Sequence, residues 1–186
     1  MHKTMNKDKK DNISIVDSVE FVHYDKNGKV INRGISRHGL FHRLLVKLHL
    51  RPHNSITIDG FTVIAKLAVA DVGETAYDYM QIGTGTTGAT KNDHQLETPK
   101  GVRQLTTGSV VTTDDTNDTA QWVASFSKAI DATLTGIDQI SEIGIFNHVS
   151  ADHKMLLHII FDAEKMDWDQ GDSITFTVKC QMKQGS

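Results

Sequence analysis

The most regular pattern in the chain is a strict alternation of apolar and polar residues over positions 173–182. Ile174, Phe176, Val178, Cys180 and Met182 alternate with serine, threonine, lysine and glutamine. Such a pattern gives a strand one apolar and one polar face, and it is typical of an antiparallel strand that covers a core. Less regular segments of the same kind predict further strands at 13–24, 77–82, 102–112, 120–127, 140–146 and 155–161.

Turn-forming residues separate these segments. Asn27-Gly28 readily adopts the positive φ angles of a type I′ turn, which predicts a β-hairpin at this point. The Gly/Thr-rich residues 83–94 and the Asp/Asn-rich residues 114–118 predict loops. Several short strands divided by such turns indicate a mainly β fold, an antiparallel β-sandwich of jelly-roll-like type.

A helical period interrupts the strands in the N-terminal half. Between positions 36 and 50, apolar residues recur at the spacing of one helix face: Leu40, Phe41, Leu44, Leu45 and Leu48. Ser36 is a suitable N-cap and Pro52 follows the last turn, so a helical insertion is predicted at about 36–51. Residues 60–70 fit either a second helix or a buried strand. The sandwich is therefore expected to carry one or two short helices.

Basic residues occupy much of the rest of the predicted helix. We expect its surface to be an assembly interface formed by Arg37, Arg43, Leu44, Lys47, Leu48 and Arg51. The alternative is that the leucine stripe packs wholly within its own subunit. Because the stripe offers few aromatic side chains for base stacking, nucleic acid is not favoured as a partner.

Length and composition agree with one folded unit. The 186 residues are 38% hydrophobic and 23% charged, which predicts a single domain over 13–186 after a basic arm at 1–12. No apolar run approaches the ~20 residues of a membrane helix, so no membrane partner is expected. Residues 1–53 carry 11 Lys/Arg and 5 Asp/Glu, a charge of +6, and the remainder carries 9 and 18, a charge of −9. This polarity suits contacts between copies.

Motifs for catalysis or cofactor binding are not convincing. Residues 83–88 match G-x-G-x-x-G, but no amphipathic helix follows to bind a phosphate at its N-terminus, and Ala89 stands where a P-loop requires lysine. The histidine pairs at 38/42 and 49/53 lack the further ligands of a closed zinc site. Cys180 lies in phase with an apolar strand face and is predicted to be a core residue. We expect no enzymatic activity, cofactor or metal.

The order of several short segments carries more information. Asn54-Ser-Ile-Thr57 is followed by Ile82-Gly-Thr-Gly-Thr86, and later by Glu142-Ile-Gly-Ile-Phe-Asn147. This succession resembles a diverse family of small β-rich virion structural proteins of tailed phages and related viruses. The resemblance implies a non-enzymatic tail, fibre, baseplate or capsid-decoration component, assembled in the host cytoplasm from copies of itself and other virion proteins. The helix predicted at 36–50 looks like an addition to the family pattern.

Two loops and one tryptophan complete the candidate surface. Gly83, Gly85, Gly88, Asp114 and Asp115 are predicted to lie in exposed contact loops. An alternative function is a carbohydrate- or ion-binding β-sandwich module that recognises a host-surface glycan. In that case Trp168, which sits in an acidic turn, would be the ligand contact, whereas Trp122 is in phase with an apolar strand face and is expected in the core.

Overall fold

The computed structural model describes residues 13–37, 55–68, 75–114, 118–150 and 154–184. Within these residues the regular elements are β1 Ile13–Tyr24, β2 Val30–Arg37, β3 Ser55–Ile56, α1 Ile58–Ala68, β4 Tyr79–Gly83, β5 Pro99–Leu105, β6 Thr107–Val111, β7 Thr119–Ser127, β8 Ile137–Phe146, β9 Met155–Asp167, a 3-10 turn at Trp168–Gln170, and β10 Ser173–Gln184.

The strands form two five-stranded sheets. The order is β2-β1-β10-β7-β6 in the first sheet and β3-β9-β8-β4-β5 in the second, and the paired strands are antiparallel. The strand near the start of the described chain therefore lies beside the last one, because β1 pairs with β10 along its whole length. The prediction of a mainly β, antiparallel sandwich is confirmed.

The core lies between the two sheets. The apolar face of β10 is buried from Ile174 to Cys180 as its alternation predicts, whereas Met182 near the end of the strand is 53% exposed. The ring of Phe176 in this face lies 5.6 Å from that of Phe161 on β9, so side chains of the two sheets meet directly. Trp122 on β7 is buried in the same core, as predicted, and its indole N–H donates to the carbonyl of Tyr77 at 2.5 Å.

Strand β8 is buried on both faces from Ile140 to Phe146. Ile143 and Ile145 point into the sandwich, whereas Phe146 belongs to a second apolar cluster with Leu96 and Met155 on the outer face of the second sheet. That outer face is covered by the loop at 84–98, which we call the cover loop. A strand covered on both sides needs apolar residues in succession, which explains the nearly continuous apolar run around Gly144.

The prediction of one continuous strand at 102–112 is wrong. The chain divides at Thr106 into β5, which belongs to the second sheet, and β6, which belongs to the first. The N–H and Oγ1 of Thr106 donate to the carbonyl of Asp78 at 2.7 and 3.0 Å, and these bonds hold the break between the two strands. Their partner is distant in sequence, so the alternation alone did not reveal it.

The hairpin between β1 and β2 is confirmed, but its turn is not type I′. The N–H of Gly28 donates to Asp25 O, and the N–H of Asp25 donates to Lys29 O, both at 2.9 Å. Gly28, at φ 75°, is therefore an extra residue after the turn, as in three-residue hairpin loops. The Asp25 carboxylate accepts the N–H groups of Asn27 and Lys29 and stabilises this wider loop.

The ambiguous segment at 60–70 is the helix α1. Thr57 caps it, because its hydroxyl accepts the N–H of Gly60 at 3.0 Å. The other predicted helix does not begin at Ser36: this residue lies in β2 opposite Val19, where the strand continues to Arg37. The predicted helix at 38–50 and the predicted arm at 1–12 fall outside the described residues.

Candidate functional site

The cover loop is fastened to the sheet by one buried carboxylate. Glu142 lies on β8, its side chain has no exposed surface, and its Oε1 accepts the N–H groups of Gly85 and Thr98, both at 2.8 Å. Its Oε2 accepts the N–H of Glu97 and the Nε2–H of His158, both at 3.0 Å. Four donors therefore satisfy one buried charge, and three of them are backbone groups of the two ends of the loop.

A second carboxylate binds the tip of the same loop. Glu97 accepts the N–H of Thr86 at 2.8 Å, and the N–H and Oγ1 of Thr87 at 2.9 and 2.6 Å. The N–H groups that a glycine-rich loop would offer to a phosphate are thus already bound to the protein's own carboxylates. This arrangement explains why the G-x-G-x-x-G match forms a closed loop against the sheet rather than an anion cradle.

The glycines of this motif allow the close approach to Glu142. A Cβ added to Gly85 would lie 2.6 Å from Glu142 Oε1, and one added to Gly83 would overlap the same oxygen. Both residues are buried, so the prediction that they are exposed contact residues is wrong. Gly88 is half-buried. Their role is to leave room for a carboxylate that the sequence places 57 positions away.

His158 extends the cluster to a second acid. Its Nδ1 lies 2.6 Å from Asp93 Oδ2, while the other Asp93 oxygen accepts the hydroxyl of Thr90 at 2.6 Å. Both ring nitrogens face carboxylates, an arrangement that favours the protonated, positively charged imidazole, which donates from both nitrogens. The result is a Glu142–His158–Asp93 chain, buried at Glu142 and His158 and half-buried at Asp93, that connects β8, β9 and the cover loop.

The pKa shifts follow from these contacts. Burial by itself would lower the pKa of His158, but hydrogen bonds and charges from Glu142 and Asp93 outweigh it and raise the pKa above 6.5. Burial likewise would raise the pKa of Glu142, yet His158 and the three backbone N–H groups lower it below 4.5. Burial opposes ionisation of Asp93 too, and its bonds to Thr90 and His158 bring its pKa below 3.8.

These directions define a pH window for the cluster. The raised pKa of His158 adds stability that is complete below pH 6.5 and is lost as the pH rises through the folded-state value. The lowered pKa of Glu142 adds stability that is complete above pH 4.5 and is lost as the pH falls through its folded-state value. The cluster therefore stabilises the fold most between about pH 4.5 and 6.5.

The cluster is built for structure rather than for proton transfer. A general base needs a free ring nitrogen facing a nucleophile, and both nitrogens of His158 are occupied by carboxylates. Among the described residues, no group of three or more His, Cys, Asp or Glu side chains is arranged to hold a metal ion. The only cysteine in the sequence, Cys180, lies in the core, where burial and the nearby Asp17 carboxylate raise its pKa to about 12.

Trp168 is not an exposed ligand contact, which corrects the sequence prediction. It has no exposed surface, and its indole N–H donates to Asp138 Oδ2 at 2.9 Å. The acidic residues around it suggested a surface turn, but the 3-10 turn directs the ring inward while its neighbours Asp169 and Gln170 stay exposed. The other Asp138 oxygen pairs with Lys100 at 2.8 Å.

Of the remaining predicted contact residues, only Arg37 and Asp114 lie within the described parts of the chain. Asp114 is exposed, as predicted, and its carboxylate accepts from the side chain of Gln181 at 3.0 Å. Arg37 lies at the end of β2 and not on a helix. The other predicted contact residues lie outside the described parts of the chain: Arg43, Leu44, Lys47, Leu48, Arg51 and Asp115.

The sheet edges differ in how they are protected. Exposed edges in natural proteins are usually shortened, bulged or charged, since their unpaired N–H and C=O groups can pair with another chain. Edge strand β3 has two residues, and β2 carries Arg33 and Arg37. Edge strand β5 is bulged opposite Gln81, and its Val102 N–H is already bound at 2.6 Å to the Asp131 carboxylate.

Strand β6 lacks each of these protections. In the part of the chain that the structure describes, it pairs with β7 alone. No charged residue or proline occurs from Leu105 to Thr113, and the β6–β7 register is regular. Exposed apolar side chains accompany it: Leu105 is 69% exposed and Val110 is 61% exposed. We call Leu105–Thr113 the neutral edge.

Sequence reasoning did not identify Glu142, His158 and Asp93 as a unit. One signal was present, because Glu142 is a single charge within the apolar run of β8, and a buried charge requires partners. The sequence also shows that the neutral edge has no charged residue. It does not show that this segment lies at the edge of a sheet.

No family model, curated protein or solved structure matches the chain. None of the helices in the described residues is long and apolar enough to cross a bilayer.

Proposed function

We propose that the protein is a non-enzymatic structural component of a tailed virus particle, of the tail, fibre, baseplate or capsid-decoration type, which assembles with copies of itself and other virion proteins. The order of its short sequence segments resembles that of such proteins and supports this proposal. So does the use of the buried pair Glu142 and His158, since these two residues fasten a loop to the sheet.

The observation that carries the proposal is the neutral edge. Among the described residues, this uncharged five-residue strand pairs on one side only and has exposed apolar neighbours, which favours aggregation in a protein that works alone. It is useful in a subunit that must add to a neighbouring sheet, because main-chain hydrogen bonds then supply the contact. Repeated in a symmetric particle, modest contacts of this kind add up.

The proposed role can be tested on particles of the virus that encodes the chain. Peptides from this protein should appear in purified particles at a fixed ratio to the other virion proteins, as measured by quantitative mass spectrometry. Particles that contain none of these peptides after purification would contradict the proposal. An unrelated protein from the same infected cells serves as the control for contamination.

The carbohydrate-binding alternative loses its main support. It depended on an exposed Trp168 as a stacking surface for a sugar, and this side chain is fully buried. Trp122 is buried as well, so neither tryptophan offers a ring to a ligand.

A further inference from the structure

Strand β6 presents a projecting side chain next to an open space. Gly108 and Val110 stand opposite the inward-facing Trp122 and Ala120 of β7, so both belong to the same face of the sheet. Val110 is largely exposed on this face. At Gly108, by contrast, an added Cβ would have no neighbouring heavy atom within 4 Å.

We propose that β6 pairs in antiparallel fashion with β6 of a second copy, about a two-fold axis at Ser109. In this register Gly108 of one subunit faces Val110 of the other, so each exposed valine covers the open space beside the other subunit's glycine. Thr107 then faces Val111, a pair of β-branched residues of the kind that stabilises neighbouring strands. This inference rests on the proposed function, because it names the partner in that assembly.

The features of β6 favour a copy of the same strand over a different partner. A twofold axis requires the segment to complement itself, and the sequence Thr107-Gly-Ser-Val-Val111 does so in both shape and charge. No charged residue would face its own copy. The pairing would also satisfy the outward N–H and C=O groups of both edges and join two five-stranded sheets into one.

Disulfide trapping tests the register directly. Directly opposite residues of an antiparallel pair have Cα atoms about 4.5–5.5 Å apart, which is within the range of a disulfide. The variant Ser109→Cys should therefore form covalent dimers under mild oxidation, and the buried Cys180 should not compete. The matched control is Ile31→Cys on the exposed β2 edge. Equal cross-linking of the two variants, or none in either, overturns the inference.

A charge placed on the edge provides an independent test. Wild-type protein should be dimeric by light scattering at micromolar concentration, and Val110→Lys should raise the dimer dissociation constant at least ~10-fold, since an edge lysine opposes strand addition. Ile31→Lys should leave it unchanged. A wild-type protein that stays monomeric at ~100 μM, or a Val110→Lys dimer as tight as wild type, overturns the inference. Circular dichroism checks that the variants fold, and if Val110→Lys does not, the trapping experiment decides.

The failure of this inference and that of the proposed function give different results. If the protein is found in virus particles but Ser109→Cys does not cross-link, the structural role stands and the β6 pairing is wrong. If Ser109→Cys cross-links efficiently but purified particles lack the protein, the pairing stands and the virion role is wrong.

Discussion

The buried Glu142 makes a strong prediction about stability. In Glu142→Gln the side chain keeps its size but loses its charge and one of its two acceptor oxygens. Whichever way the amide is oriented, its NH2 group faces two donors: the N–H groups of Gly85 and Thr98, or those of Glu97 and His158. Two donors, one buried and one partly buried, therefore lose their acceptor in either orientation.

The magnitude follows from these contacts. An unsatisfied buried donor costs about 1–3 kcal/mol, and breaking a buried ion pair by removing one partner costs about 3–5 kcal/mol. We therefore expect Glu142→Gln to lower the free energy of unfolding by about 3–5 kcal/mol. At ~2–4 °C per kcal/mol for a domain of this size, the melting temperature should fall by roughly 6–20 °C.

The assay is thermal unfolding followed by circular dichroism at pH 6, inside the window where the cluster stabilises the fold most. The matched control is Glu97→Gln, which alters the other carboxylate bound to the cover loop. Because Glu97 is exposed and water can replace its bonds, its effect should be much smaller. Hydrogen exchange should be faster in Glu142→Gln at the Gly85 and Thr98 amides or at the Glu97 amide, depending on which side the new NH2 group faces. A melting temperature within ~2 °C of wild type, or no lower than that of Glu97→Gln, would refute the reasoning.

Four further outcomes are expected. The difference in melting temperature between wild type and His158→Gln should be largest at about pH 5–6.5 and should shrink at higher pH, as the folded imidazole loses its proton; a difference that grows above pH 7 would contradict the assigned charge. Gly85→Ala should cost about 1–3 kcal/mol in urea unfolding because its Cβ would crowd Glu142, whereas Gly108→Ala, which has open space around it in the single subunit, should stay within ~0.5 kcal/mol when both are measured on dissociated protein; equal effects would argue against the close approach. Trp168→Ala should cost about 3–5 kcal/mol, and Trp168→Phe clearly less; a soluble variant with wild-type stability would show that the ring is not a core residue. The thiol of Cys180 should react with an aromatic disulfide reagent at pH 8 only after denaturation, since burial raises its pKa to about 12; rapid reaction of the native protein would count against this.

The local sequence pattern predicts some parts of the candidate site, whereas other parts depend on contacts between residues distant in sequence. The sequence located the Gly/Thr loop and showed that it cannot be a standard phosphate loop. It could not show that the loop folds back on Glu142, because the bond between Gly85 and Glu142 joins residues 57 positions apart. In the same way, the sequence shows that the neutral edge is a run of uncharged residues. Whether a strand lies at an edge or in the middle of a sheet depends on strands elsewhere in the chain.

What the sequence determined by itself was the set of strands that have one face in the core. The alternation in β10 and β7 is a local consequence of one-sided burial, so the period alone predicts both the strand and its buried residues, including Trp122 and Cys180. Three other features depend on how the whole chain folds. The outer face of β8 is buried under the cover loop, the chain changes sheets at Thr106, and Trp168 turns inward from an acidic turn. Each of these features is fixed by a partner distant in sequence, and no local pattern encodes such a partner.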